Sequence, residues 1–133
     1  MKCFFSLTIA LYAACFSQLS AQDFMLQGWY WDYPKTAQGA MWADTMANRA
    51  AEWGKAGFNM IWCPPMSMAA SGNGSNGYDI KDLFNVGGGG ISSNTGFGNK
   101  ARIQNMMQAF SKHNLIAVGD MIYNHRDGGS LQD

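Results

Sequence analysis

Twice in this chain a helical pattern of apolar residues stops at a single turn residue and passes straight into an apolar run. That repetition narrows the fold more than any other feature. In the first instance Trp42, Met46, Ala50 and Trp53 recur close to helical spacing within residues 41–56, with Asp44, Arg49, Glu52 and Lys55 elsewhere on the turn. Gly57 is a natural C-terminal stop, and Phe58-Asn59-Met60-Ile61-Trp62-Cys63 follows at once as a strand closed by Pro64-Pro65. In the second, Asn99 caps a helix whose Ile103, Met106, Met107 and Phe110 fall at i, i+3, i+4 and i+7. Asn114 can end it in a left-handed turn, and Leu115-Ile116-Ala117-Val118 opens a strand expected to run through Met121-Ile122. An earlier aromatic run over residues 24–31, ended by Asp32 and Pro34, reads as the first strand. The order β-α-β-loop-α-β, with apolar strands expected to be buried on both faces, predicts an α/β fold around a parallel sheet of right-handed crossover units.

Between the second strand and the second helix, residues 66–98 show no sustained period and are rich in Gly, Ser and Asn, including Asn73-Gly74 and Asn76-Gly77. Structureless connections beyond about 15 residues are usually functional or disordered, so this loop is a candidate for substrate contact. The four-glycine run over residues 87–90 reads instead as a flexible insertion.

The charge balance argues against electrostatic capture of nucleic acid or an anionic membrane, since nine Lys and Arg oppose nine Asp and Glu. Residues 1–21 read as a signal peptide: Lys2 precedes an apolar run over residues 3–16, and small and polar residues lead to a cleavage point after Ala21. On that reading the protein is secreted or periplasmic. An alternative takes Tyr12-Ala13-Ala14-Cys15 as a lipoprotein cleavage site with a lipid anchor on Cys15, although Tyr12 stands where a small aliphatic residue is usual. Removal of residues 1–21 leaves Cys63 as the lone thiol, which reads as a small buried hydrophobe closing its strand.

Several segments then resemble, in order, the start of the α-amylase family, glycoside hydrolase family 13. Residues 24–31 resemble its first strand, and Glu52-Trp53-Gly54-Lys55-Ala56-Gly57-Phe58 through Trp62-Cys63-Pro64-Pro65 resembles its first helix, turn and second strand. Gly77-Tyr78-Asp79-Ile80-Lys81-Asp82-Leu83-Phe84 matches a loop motif, and Gly96-Phe97-Gly98-Asn99-Lys100 the turn opening the second helix. Asp120-Met121-Ile122-Tyr123-Asn124-His125 carries the Asp-x-x-x-Asn-His signature at the end of the third strand. Cys63 and Gly96 depart from the pattern, replacing a more usual aliphatic and a common basic residue. The resemblance implies that residues 22–133 are the N-terminal part of a secreted bacterial-type enzyme. They would hold the first three strands and two helices of a (β/α)8 TIM barrel that is incomplete in this chain.

By the same resemblance, the chain belongs to a retaining hydrolase of α-1,4-glucans such as starch, and the active site lies at the C-terminal ends of the strands. Asn124 would give an amide oxygen to a structural calcium ion. His125 would donate a hydrogen bond to a hydroxyl of the glucose at the cleavage point, and Tyr78 would stack on that glucose. Asp120 would hold an arginine from later in the family's chain, while Asp79 and Asp82 read as loop-fixing residues. Retaining hydrolysis needs two carboxyl groups about 5 Å apart, which the family takes from later strands, so no catalytic residue is assigned here. Glu52, the lone glutamate, reads as a charge on the helix surface. Transglycosylases share these motifs. A non-catalytic protein binding starch or maltooligosaccharides and a non-functional truncated product stand as alternatives.

Overall fold

The computed structural model describes residues 22–34, 41–87 and 96–127. The expected signal peptide at residues 1–21, the lipidation reading at Cys15 and residues 88–90 of the glycine run lie outside the described residues. Strands β1 (Met25–Gln27), β2 (Met60–Cys63) and β5 (Ile116–Gly119) form a three-stranded sheet in the order β1-β2-β5, parallel throughout. Helices α1 (Trp42–Lys55) and α2 (Lys100–Lys112) connect them, so the helix-to-strand repetition in the sequence does specify parallel α/β units.

Each helix begins and ends for identifiable reasons. Asp44 in the first turn of α1 accepts from the Met41 N–H at 3.1 Å, and Gly57, at φ +92°, lets the chain turn away beyond the last turn. At the start of α2 the Asn99 side chain accepts from the Arg102 N–H at 3.0 Å, and Asn114 adopts the left-handed φ of 57°. An ion pair between Arg102 and Asp44 ties the two helix starts together. Trp42, Met46 and Ala50 of α1 pack with Ile103, Met106 and Phe110 of α2 over Ile61 and Cys63 of β2 in one core. Met107, which fits the same spacing, is 44% exposed and lies outside that core.

The sheet departs from expectation in its faces. Across the register, Leu26, Ile61 and Ala117 form a row on the helix side, and Met25, Met60 and Ile116 form the next row, which alternation turns to the other side. Met25 and Ile116 are 55% and 56% exposed, so among the described residues the helices cover one face of the sheet and not both. The strands are also shorter than expected. β1 ends at Gln27 and β5 at Gly119, and the described residues form an open sheet, not a closed barrel.

Residues 66–87 are not structureless. β3 (Met68–Ala69) pairs antiparallel with β4 (Ile80–Asp82) around a short 3-10 turn at Gly72–Gly74. Ser67 Oγ donates to the Leu83 carbonyl at 2.8 Å, and the Ala70 N–H donates to the Asp79 carbonyl at 2.7 Å. Strands of two and three residues are too short to show alternation in a sequence, and these backbone and side-chain bonds fix them instead.

Candidate functional site

The strand ends are where this chain gathers polar and aromatic side chains. Pro64 and Pro65 close β2, and the β3–β4 excursion returns over them at Gly77. Gly77 has φ +88°, and a Cβ there would lie 2.1 Å from the Pro65 carbonyl oxygen, so only glycine permits this crossing. The next residue, Tyr78, is thereby laid beside the end of β5.

Tyr78 organises the site through three different groups. Its hydroxyl donates to Asp120 Oδ2 at 2.7 Å, joining residues 42 positions apart. Asp120 is itself fixed, because its N–H donates to the Cys63 carbonyl at 3.1 Å and carries the β2–β5 pairing one bond beyond the strand. The Tyr78 carbonyl accepts from His125 Nε2 at 2.7 Å. A carbonyl oxygen can only accept, so Nε2 carries the proton and Nδ1 remains for a ligand. Burial pushes the Tyr78 phenol up to about 12, and the hydrogen bond to Asp120 and its negative charge add to the effect.

The Tyr78 ring completes the arrangement. It lies against Trp29, with centroids 5.9 Å apart at 40°, and stacks on Trp31 at 6.0 Å and 20°. Trp29 is buried, and its Nε1–H finds no acceptor among the described residues, whereas Trp31 is 64% exposed. The segment after β5 is laced to β4 as well. Arg126 donates from Nε and Nη2 to the Lys81 carbonyl at 3.2 and 2.6 Å, and the Asp127 N–H donates to the Ile80 carbonyl at 2.7 Å.

The structure thus brings together Tyr78, Asp120 and His125. Asn124 is exposed beside them in sequence, and among the described residues no three His, Cys, Asp or Glu side chains gather as a metal-binding group. Asp79 faces away into its own loop, accepting from the Ser71 N–H at 2.7 Å and from the Ser75 hydroxyl. Burial alone would raise its carboxyl, but these hydrogen bonds outweigh burial and hold it below its ordinary value. Asp82 Oδ1 accepts from the Phe84 N–H at 3.0 Å, so both aspartates fix loops. Glu52 pairs with Arg49 on the exposed side of α1 at 2.7 Å. Cys63 is fully buried, with its thiol pushed up to about 12 by that burial, as a small core hydrophobe would be. Sequence reasoning missed Trp31 and Arg126. The run of adjacent aromatic residues ahead of Asp32 was the available signal for Trp31, but it reads equally well as strand.

Compared with characterised proteins, the chain is similar to the Cytoplasmic alpha-amylase of Escherichia coli (strain K12), with 35% identity over 113 residues that cover 82% of this chain and 22% of that protein. It is also similar to Alpha-amylase 3, chloroplastic, of Arabidopsis thaliana, at 27% identity over 107 residues, 80% of this chain and 11% of that protein. No family model matches. The chain is therefore amylase-related, which implies a relationship to glycoside hydrolases, and it spans about a fifth or less of the length of these relatives. The expectation of a secreted or periplasmic protein is corrected by the same comparison. It rested on the composition of residues 1–21 alone, and the E. coli relative is by name a cytoplasmic enzyme.

Proposed function

We propose that this chain forms the N-terminal part of an α-glucan-acting glycoside hydrolase of family 13 and supplies one substrate-contacting wall of its barrel-end active site. The observation that carries this reading is Tyr78, which binds Asp120 through its hydroxyl and His125 through its carbonyl at the C-terminal ends of parallel strands. Sites in such α/β arrangements lie at that edge of the sheet. The similarity to α-amylases supports an α-glucan as the substrate class.

In this reading Tyr78 offers a ring face to the apolar C–H side of a glucosyl unit, because those C–H bonds are drawn to the negative face of an aromatic ring. His125 meets a sugar hydroxyl through Nδ1. A neutral ring there accepts a hydrogen bond, and donation requires the imidazolium form. Asp120 holds the Tyr78 hydroxyl and so sets the tilt of the ring. The carboxyl pair for retaining hydrolysis is no part of this wall, since Asp120 is committed to Tyr78 and Glu52 lies on the outer helix. Asn124 carries an amide oxygen of the kind calcium accepts. One such ligand falls far short of the six to eight oxygens the ion takes, so the described residues alone do not make a calcium site.

Titration of the 133-residue chain with maltoheptaose, with cellohexaose as the β-linked control, tests this reading. Saturable binding of the α-glucan alone, weakened in Tyr78→Ala, is expected. Equal binding of both sugars, or of neither, would refute it. Release of new reducing ends by this chain alone would show that its carboxylates do more than position neighbours.

A further inference from the structure

The β3–β4 excursion contains two Asn-Gly pairs, Asn73-Gly74 and Asn76-Gly77, and the fold holds them in opposite ways. Asn-Gly is the pairing in which an asparagine side chain is most open to attack by the backbone, because glycine puts no side chain beside its own nitrogen. In that reaction the glycine nitrogen adds to the asparagine side-chain amide carbon. Its proton leaves with the amide nitrogen as ammonia, and a cyclic succinimide remains. Water then opens the ring at either carbonyl. One opening gives aspartate, and the other gives isoaspartate, whose backbone runs through the former side chain and is longer by a methylene.

The ring closes only if the glycine nitrogen can swing towards the side chain, so the ease of local displacement decides which asparagine reacts. Around Asn76 the backbone is pinned. Gly77 is buried at φ +88°, a Cβ on it would lie 2.1 Å from the Pro65 carbonyl oxygen, and its N–H donates to Ser75 Oγ at 2.9 Å. Asn76 Oδ1 is buried too, without a hydrogen-bond partner among the described residues, and is shut away from the water that must open the ring. Around Asn73 the reverse holds. Ser71, Gly72, Asn73 and Gly74 are all exposed, and a Cβ on Gly74 would meet open space. They are held by a single 3-10 turn, closed by the Ser75 N–H on the Gly72 carbonyl at 3.1 Å. A turn of that length frays readily, since 3-10 hydrogen bonds are poorly aligned and none of its residues is buried.

We propose that Asn73 is a site of spontaneous deamidation, a slow chemical clock in the loop that carries Tyr78, and that the packing of Gly77 on Pro65 protects Asn76 from the same reaction. Conversion is felt beyond position 73, because the two ends of the turn clasp one carboxylate. The Ser71 N–H donates to Asp79 Oδ2 at 2.7 Å, and the Ser75 hydroxyl donates to Asp79 Oδ1. An added methylene at position 73 lengthens the span between those donors, and the new carboxylate repels Asp79 whichever way the ring opens. Both effects loosen the clasp beside Tyr78. The inference is independent of the α-glucan reading.

The test incubates the full 133-residue chain at mildly alkaline pH, natively and in urea, and follows each asparagine by fragment-ion mass spectrometry. In the native protein Asn73 is expected to convert at least about tenfold faster than Asn76, a ratio that needs only a modest difference in the cost of local opening. In urea the two should convert at similar rates. Gly74→Ala, whose Cβ meets nothing in the fold, should suppress conversion of Asn73 while far-UV circular dichroism stays unchanged. Amide exchange of the converted protein should quicken at Ser71 and Ser75 and stay unchanged across α1 and α2. If Asn76 converts as fast as Asn73 in the native protein, or if Asn73 stays intact there, the assignment is overturned. Conversion of Asn73 with unchanged exchange at Ser71 would refute its coupling to the Asp79 clasp.

Discussion

Replacing Tyr78 by Phe isolates the contact on which the candidate site depends. The ring and its packing on Trp29 and Trp31 are kept, and only the hydroxyl that donates to Asp120 Oδ2 at 2.7 Å is lost. A hydrogen bond to a charged group contributes about 1.5–3 kcal/mol, and leaving the acceptor unpartnered is part of that figure. Tyr78 and Asp120 are both half-buried, so water takes over some of the interaction and about 1–1.5 kcal/mol is the appropriate expectation. For a domain of this size that corresponds to a melting temperature lowered by about 5–10 °C at neutral pH. The pH dependence gives the sharper check. The Tyr78 phenol is raised from its ordinary 10.0 to about 12, first by burial and then by Asp120. A raised folded-state value means that folding favours the protonated phenol. The stabilisation is therefore fully present below pH 10 and is lost as pH climbs through 10 towards about 12. Thermal unfolding of parent and Tyr78→Phe, followed side by side by circular dichroism, should show a constant gap up to about pH 9 that closes over the next three units. Other titrating groups are common to both proteins and cancel. No gap at neutral pH, or one that persists undiminished above pH 12, would refute the assignment of Tyr78 as donor to Asp120.

Three further perturbations probe what positions that contact. Gly77→Ala must accept both a left-handed φ and a Cβ driven into the Pro65 carbonyl, so a loss of at least about 3 kcal/mol is expected in urea unfolding. A loss under 1 kcal/mol would mean that the loop crosses β2 differently. Asn99→Ala removes the side-chain acceptor for the Arg102 N–H and should cost about 1 kcal/mol, with faster amide exchange confined to the first turn of α2. The buried Cys63 thiol should resist alkylation at about pH 8 in the native protein and react within minutes after unfolding, read by peptide mass to separate it from Cys3 and Cys15, and rapid native labelling of Cys63 itself would contradict its burial.

How much of this was legible in the sequence follows from the reach of each signal. The helices were, because Trp42, Met46 and Ala50, and Ile103, Met106 and Phe110, repeat over several turns and share one core. Their exits were too, since Gly57 and Asn114 are residue types that accept the positive φ found there. Strand ends were not, because the apolar character of residues 29–31 and 121–122 continues past the last ladder hydrogen bonds, made by the Gly28 and Asp120 N–H groups. Nor was the open sheet face, since exposed Met25 and Ile116 look in sequence like any buried apolar residue. The β3–β4 pair depends on bonds such as Ser67 to Leu83, which have no periodic trace. In the site, resemblance singled out Tyr78, Asp120 and His125 and implied an arginine from later in the family's chain for Asp120, but gave no bond between Asp120 and Tyr78. Its bond to Tyr78 links positions 42 apart and could only be seen in three dimensions.

These bonds also bear on how such a wall would work. A loop that must order itself to meet a ligand loses affinity to the conformational entropy it gives up. Here the segment after β5 is already tied to the β3–β4 excursion by His125 to the Tyr78 carbonyl, Arg126 to the Lys81 carbonyl and the Asp127 N–H to the Ile80 carbonyl. Each of these uses a backbone carbonyl as acceptor and leaves the faces of Trp31 and Tyr78 untouched. The tethers thus take up polar capacity that could compete for a ligand, including His125 Nε2, while His125 Nδ1 takes no part in them. A site held in this way should discriminate mainly by shape.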